Sequence, residues 1–438
     1  MHISPLPRDD RTNGWTALLP ARIPARRLSG VQRTDYAVVG AGLAGLAAAR
    51  RLAELKPQAR IILLDAQRVG DCSSGRNSGF IIDLPHETES LAPEADAHQR
   101  RILRLNRFAI TRLRELVIRH GIKCEWAEQG MYRGAVTEEA ARFLDPYEEM
   151  IHRLGVPLMR LTRTEIERRL GTALYREAVY TPGTILVQPA ALVRGLADNL
   201  PGNVELYEDS PVLSLARGAA IDLATPHAAI TANTLVLAVN GLLPAFGFMR
   251  NHLINLGLWA SMTRMLDDKE LASLGTEANW GMTPADARGG ITMRLLASRR
   301  LLLRAITYPE QRYRPHAHDL PRIQTLHRRI LERRFPQLSP ITIEHTWTGF
   351  VSKSWNAEPV FGALAPGVYS ACVQNGVGLA RGTYQGELCA DLIAGDPHEL
   401  VQDMLAHGRP TRLPPEPLTT WGARAHISWL EFQSRRER

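Results

Sequence analysis

The chain has 438 residues, more than one ordinary core holds, so two structural domains are expected. Its 45% hydrophobic and 22% charged residues are those of a globular protein, and no apolar run approaches the roughly 18 residues that a membrane helix needs. The net charge of +8 would admit a nucleic acid, but the basic residues are scattered and almost all Arg, with the densest run at Arg322 to Arg334, and no nucleic-acid partner is expected.

Residues Met1 to Gly30 carry Pro5, Pro7, Pro20 and Pro24 among arginines and lack the apolar segment of a secretory signal, so a soluble, cytoplasmic protein is expected. Cys72, Cys124, Cys372 and Cys389 are widely spaced with no CxxC pair, which argues against metal or disulfide frameworks. His316 and His318 have no acidic or thiol ligands clustered beside them and read as a solvated loop, so no metal site is expected.

Residues 35–46 place a short apolar strand before glycines, and an Ala/Leu-rich helix follows to about Leu55. Residues 60–65 form a second buried strand ending in an acid, completing a βαβ unit whose parallel strands need both faces covered. Apolar spacing predicts an amphipathic helix from Gln99 to His120 and another over about 138–154. Thr162 with Glu165 is a capping box, and Pro189 can open a further helix. Short strands follow over 204–237, a strand-rich stretch over 253–310 and a helix over 321–334. The last third is expected to hold one more strand, Val368 to Val373, then a long helix to about Ile393.

Gly40, Gly42 and Gly45 have GxGxxG spacing between strand and helix: a tight turn, a close approach of backbone to a pyrophosphate, and close helix packing. The N–H groups around Leu43 and Ala44 open that helix and offer its positive end to phosphates. Asp65, twenty residues past Gly45, would accept hydrogen bonds from ribose hydroxyls, with Ala66, Gln67 and Arg68 beside it. This unit does not separate NAD from FAD. The Gly/Ser-rich stretch that follows, with Ser74, Gly75, Arg76, Asn77 and Ser78, favours FAD, because a flavin needs small polar contacts beyond the pyrophosphate.

These motifs resemble those of the D-amino-acid-oxidase-type (DAO) flavoproteins, the family of glycine, sarcosine and γ-glutamylputrescine oxidases. The resemblance rests on Val38 to Leu46, the Ser74 to Gly79 loop and Thr234 to Gly241, where Asn240-Gly241 stands for the family's more usual Ala-Gly. Trp347 to Gly349, Pro359 to Gly362 and Val368 to Gly378 extend it to about residues 35–397. It implies an α/β fold with a Rossmann-like FAD-binding domain (35–98, 184–245 and 346–405) interleaved with an antiparallel-sheet substrate domain (99–183 and 246–345). Residues 1–34 would be an N-terminal extension and 406–438 a C-terminal tail.

The same resemblance implies a hydride transfer from a small amine or amino acid to flavin N5, with oxygen or another acceptor reoxidising the flavin. No Cys stands in 346–358, where several sarcosine oxidases attach the cofactor, so noncovalent FAD is expected. It assigns FAD contacts to Val212, Asn240, Gly241 and the turn Asn375, Gly376, Val377 and Gly378, whose N–H groups would meet the flavin C2 carbonyl.

Three cations are candidates for the chemistry. Arg76 would hold a substrate carboxylate or clamp its own loop; Arg294 would face the pocket or pair with an acid; Lys353 would sit near flavin N5 or on an exposed loop. Residues 349–358 contain Lys353 but no Arg, and with Trp347, Trp355 and Phe350 nearby they favour a primary or secondary amine, a polyamine derivative included, over a free D-amino acid. An NAD-linked dehydrogenase and a flavoprotein subunit of a tRNA-associated or structural assembly are the alternative readings.

Overall fold

Two eight-stranded sheets organise the computed structural model, which describes residues 1–86, 92–286 and 290–437. The first runs in the order Val360–Ala365, Val368–Cys372, Ala228–Leu237, Gly30–Val39, Ile61–Leu64 and Val204–Tyr207. All of these pair in parallel except Val360–Ala365, and a hairpin of Ser214–Arg217 and Ile221–Ala224 continues from Ala228–Leu237. The four apolar residues of Ile61–Leu64 are all buried because the sheet is covered on both faces. Each such side chain stabilises the fold by about 1.5–3 kcal/mol.

One face carries the helices Leu43–Leu55, Asp96–His120, Pro189–Asp198 and Gly378–Ala394. Leu43–Leu55 and Gly378–Ala394 lie almost backbone to backbone, since a Cβ on Gly386 would stand 2.0 Å from the Ala44 carbonyl oxygen. A larger side chain there would push the two helices apart.

The second sheet has the order Ile343–Ser354, Leu253–Thr263, Leu301–Pro309, Thr292–Leu295, Trp280–Pro284, Met131–Ala135, Glu177–Thr181 and Met159–Thr162. Its pairings are antiparallel apart from Trp280–Pro284 with Met131–Ala135. Leu301, Leu303 and Ala305 pack on the helix Leu320–Arg334. Leu302 points the other way, into a cluster with Trp15, Ala190 and Trp347. The sheet therefore turns one face to the helix Leu320–Arg334 and the other toward Trp15 and the start of the helix Pro189–Asp198.

The capping box at Thr162 forms as expected, with Glu165 Oε2 accepting from the Thr162 N–H at 2.8 Å. Other expectations need correction. The helix expected over 138–154 is two, Glu138–Ala141 and Leu144–Arg153. After the helix Leu320–Arg334 come three strands, Ile343–Ser354, Val360–Ala365 and Val368–Cys372, where one was expected; Ile343–Ser354 pairs along the whole of Leu253–Thr263. Gly30–Val39 begins before residue 35, its exposed first half pairing with Ala228 to Ala232. The N-terminal stretch contributes buried Trp15 and a helix, Gly14–Ala17. The C-terminal stretch forms the helix Leu418–Gln433, and Glu437 accepts from the Val136 and Thr137 N–H groups.

Candidate functional site

The helices Leu43–Leu55 and Gly378–Ala394 open at the same cavity, which has an empty volume of about 1360 Å³, part of it reaching solvent. Gly40, Gly42, Leu43, Ala44, Asp65, Ala66 and Arg68 line it at one end and Gly376 and Gly378 at the other. Two helix N-termini thus turn their positive ends on one space, an arrangement suited to anionic groups.

The glycine turn is sterically locked. Gly40 has φ +101°, which L-residues rarely adopt, and a Cβ on Gly45 would stand 1.7 Å from the Gly40 carbonyl oxygen. Gly45 therefore packs the turn and does not line the cavity. Asp65 lines the cavity, but its carboxylate already accepts from the Ala41 N–H (2.7 Å) and the Gln67 N–H (2.8 Å). Burial pushes its pKa up to about 6 despite those two bonds. Asp65 thus holds the turn in shape, and a ribose hydroxyl would have only its remaining lone pairs. Among the described residues Gln67 bonds through its backbone alone, and it does not line the cavity. Arg68 lines the cavity while donating to Glu208 and to the Ile23 carbonyl.

The Gly/Ser stretch contains a helical turn, Ser73–Arg76. Ser74 Oγ accepts from the Leu43 N–H at 3.1 Å, and Asn77 lines the cavity while its amide donates to the Ser73 and Ser74 carbonyls. Gly75 packs against Gly70, and the Ser78 carbonyl accepts from Arg294; neither lines the cavity. Cys72 lines it with its thiol pKa raised by burial.

Arg76 is a clamp, which corrects its candidacy as a carboxylate fork. Its guanidinium donates to Asp9 Oδ1 and Asp10 Oδ1, both at 2.7 Å, and to the Thr348 carbonyl at 2.7 Å. The chain's own carboxylates fill the fork, and the side chain is 2% exposed. Arg294 is likewise committed: Nη1 donates to the Ser78, Gly79 and Val187 carbonyls, and the guanidinium lies over the Trp15 and Phe80 rings. Burial pulls its pKa down to about 9, with distant Glu125 opposing. It neither lines the cavity nor forms an ion pair among the described residues, which corrects both expectations for it.

At the far end Asn240, with φ +46°, lines the cavity and accepts from the Val373 N–H. Gly241 lies behind it, where a Cβ would stand 2.0 Å from Asn255 Oδ1. The Asn375 side chain braces the 354–357 loop, accepting from the Ser354 N–H and donating to the Ala357 carbonyl. Val377 packs with Phe80, Ile82, Met131 and Leu186 and does not line the cavity. Val212 lines the opposite end. Lys353 is exposed, on the strand Ile343–Ser354 rather than a loop, with its Cε 3.8 Å from where a Cβ on Gly376 would stand. Trp347 is fully buried against Trp15, and Trp355 is 64% exposed, so neither walls the cavity.

Sequence reasoning missed Ile3, Pro5, Leu6 and Pro7, which line the cavity although nothing in their pattern marks them. It also missed Ser352, two positions along the strand from Phe350, which was expected near the substrate and does line the cavity. Ser352 Oγ is buried with no hydrogen-bond partner among the described residues, as is Asn255 Oδ1 behind Gly241. An unmatched hydroxyl in a cavity lined by two helix N-termini and closely packed glycines fits a long cofactor with phosphates at one end and a polar ring at the other.

The sequence model of the family described as DAO, FAD dependent oxidoreductase, matches residues 35–392. A probable oxidoreductase OrdL of Haemophilus influenzae is 26% identical over 382 residues, covering 85% of this chain and 86% of that protein. The gamma-glutamylputrescine oxidoreductase of Escherichia coli is 26% identical over 369 residues, covering 83% and 84%. Among solved structures, glycine oxidase from Geobacillus kaustophilus superposes with TM-score 0.70 at 21% identity, covering 84% of this chain and 96% of that one. L-proline dehydrogenase from P. horikoshii superposes with TM-score 0.68 at 16% identity, covering 84% and 95%. No helix among the described residues is long and apolar enough to cross a membrane. The chain belongs to the DAO family of FAD-dependent oxidoreductases.

Proposed function

We propose that this enzyme binds FAD noncovalently along the cavity and takes a hydride from the carbon bearing the nitrogen of a small amine or amino acid. The observation that carries this reading is the convergence of the Leu43 and Gly378 helix N-termini on one cavity. When bound, FAD would supply the hydride acceptor at flavin N5, with oxygen or another acceptor reoxidising it. The Gly40–Gly42 turn and the Leu43 helix end would hold the pyrophosphate, with Asp65 fixing that turn from behind. Ser74 and Asn77 would meet the middle of the cofactor, and the N–H groups at Gly376 and Gly378 would face its pyrimidine edge, where negative charge develops on reduction. Lys353 stands beside Gly376, placed to stabilise an anion formed near the ring.

In this reading the FAD-binding unit comprises 35–98, 184–245 and 346–405, and the substrate-binding unit 99–183 and 246–345. The two-sheet arrangement supports that division in outline, with strand Ile343–Ser354 shared across the boundary and the helix Asp96–His120, at the start of 99–183, packed on the first sheet. FAD dependence of the family removes the NAD-linked alternative. Nothing in the described residues favours the tRNA-associated reading, and retention on immobilised tRNA across a salt series tests it. The function itself is tested by acid precipitation of the purified yellow protein. All flavin should pass to the supernatant as FAD, and flavin retained in the pellet would overturn the noncovalent assignment.

A further inference from the structure

The chain ahead of the family match runs along the cofactor cavity. Ile3, Pro5, Leu6 and Pro7 line the cavity, whereas Ser4, Arg8 and Arg11 are exposed. Neighbouring residues thus meet the cavity and solvent in turn, so this part of the cavity wall is a single strap of chain.

The strap is fastened at its two ends. At its start the Ile3 N–H donates to the Leu213 carbonyl at 2.8 Å, His2 bridges to Ser214, and Ile3 packs with Val212, Leu215 and Phe246. At its end the Arg8 N–H reaches the Tyr313 carbonyl at 3.5 Å, and Asp9 and Asp10 hold Arg76. Among the described residues no hydrogen bond holds Ser4 to Pro7 between these points. None is needed to keep the stretch extended: Pro5 and Pro7 fix their own φ, and Ser4 and Leu6, each before a proline, are biased away from helix. The stretch can therefore swing out about its fastenings without breaking a hydrogen bond, at the cost of apolar contacts alone. The glycine turn has no such freedom, because Gly45 abuts the Gly40 carbonyl.

The side chains that the strap turns to the cavity offer hydrocarbon and no hydrogen-bond donor, which suits the face of a ring rather than a phosphate. Ile3 meets Val212 at the Asp65 end of the cavity; Ser210, two positions before Val212, donates its N–H to the Asp65 carbonyl at 2.8 Å. We infer that Ile3, Pro5, Leu6 and Pro7 are cofactor-binding residues that pack on the adenosine half of FAD, and that the strap they form lifts for the cofactor to enter or leave. This rests on the proposed noncovalent binding of FAD along the cavity and adds what retains and releases it.

The test is the rate at which the FAD-loaded enzyme exchanges its cofactor with an excess of radiolabelled FAD. Pro5→Gly/Leu6→Ser/Pro7→Gly, which loosens the strap and strips its apolar groups, should exchange about tenfold faster. A variant lacking residues 2–8 should exchange faster still. The apoprotein of the triple variant should keep the wild-type urea midpoint, because the changed side chains serve the cofactor. Wild-type exchange rates in these variants would overturn the inference, as would a rate that rises only in step with a lowered apoprotein midpoint. Should the deletion fail to fold, the triple variant decides alone. Exposed Arg11 gives a second readout: trypsin should cut after it several-fold faster in FAD-free than in FAD-loaded protein, relative to cuts after exposed Arg412. Equal ratios in the two forms would overturn the lifting strap. Gly42→Trp keeps the two readings apart. If it holds FAD as tightly as wild type, the cofactor lies elsewhere and both readings fall; if it loses FAD while the strap variants exchange at the wild-type rate, the strap alone falls.

Discussion

Arg76 and Asp10 join at 2.7 Å across 66 positions of sequence, tying the turn beside the cofactor cavity to a segment that precedes the family match. Asp9 takes the second arm of the same guanidinium at the same distance. Removing one partner of a buried pair leaves the other charge uncompensated and costs about 3–5 kcal/mol. Asp9→Asn/Asp10→Asn should therefore destabilise the protein by an amount of that order, with each single change costing less, as read by urea denaturation. Burial acts to raise the Asp10 pKa, but Arg76 and Thr12 outweigh it and hold it below the usual value. Its contribution is present above the unfolded pKa and fades as pH falls through the folded one, so the mutational difference should shrink in acid. An unchanged urea midpoint in the double variant would show that the pair does not matter to stability.

The glycine turn gives a sharper expectation. A Cβ at Gly45 has nowhere to go beside the Gly40 carbonyl, so Gly45→Val should separate strand from helix and abolish FAD retention. Gly42→Trp should instead fill the cavity with a side chain and give colourless, folded protein. Yellow Gly42→Trp with normal FAD content would move the cofactor away from this turn.

Gly378 opens the second helix, and no atom lies within 4 Å of where its Cβ would stand. Gly378→Ala should be tolerated, whereas Gly378→Pro removes an N–H that faces the cavity. The Pro variant should bind FAD more weakly or show a lower reduction potential, because reduced flavin loses a stabilising donor. Affinity and potential both equal to wild type would detach the pyrimidine edge from this helix end.

Glu387 is buried on the second helix and bonded to Arg112, yet burial raises its pKa to about 7. A raised folded pKa means stability that is complete below the unfolded value near 4.5 and lost as pH climbs through about 7. Glu387→Gln should flatten the decline of apoprotein stability between about pH 4.5 and 7, by at most about 3 kcal/mol. Asp65 and Asp71, both raised to about 6 by burial first of all, titrate in the same window and should leave a residual slope. A decline as steep in Glu387→Gln as in wild type would contradict the assignment.

What could be read from sequence was local. Gly40, Gly42 and Gly45 announce their turn because strand, helix and second strand lie within thirty-odd residues, and Thr162 and Glu165 announce a helix start for the same reason. What could not be read depends on contacts made across the chain. For Arg76 and Arg294 sequence left a free fork and a committed side chain both open, and only Asp9, Asp10 and the Val187 carbonyl, arriving from distant segments, decide between them. The strand Ile343–Ser354 carries alternating β-formers, but its partner Leu253–Thr263 lies far back in the chain, so the pairing could not be read locally.

The most direct measurement of the central claim is anaerobic stopped-flow reduction of the FAD-loaded enzyme by a panel of amines and their α-carboxylated counterparts. The visible flavin band should bleach with at least one member of the panel. A flavin that dithionite bleaches but no amine or amino acid reduces would contradict the account.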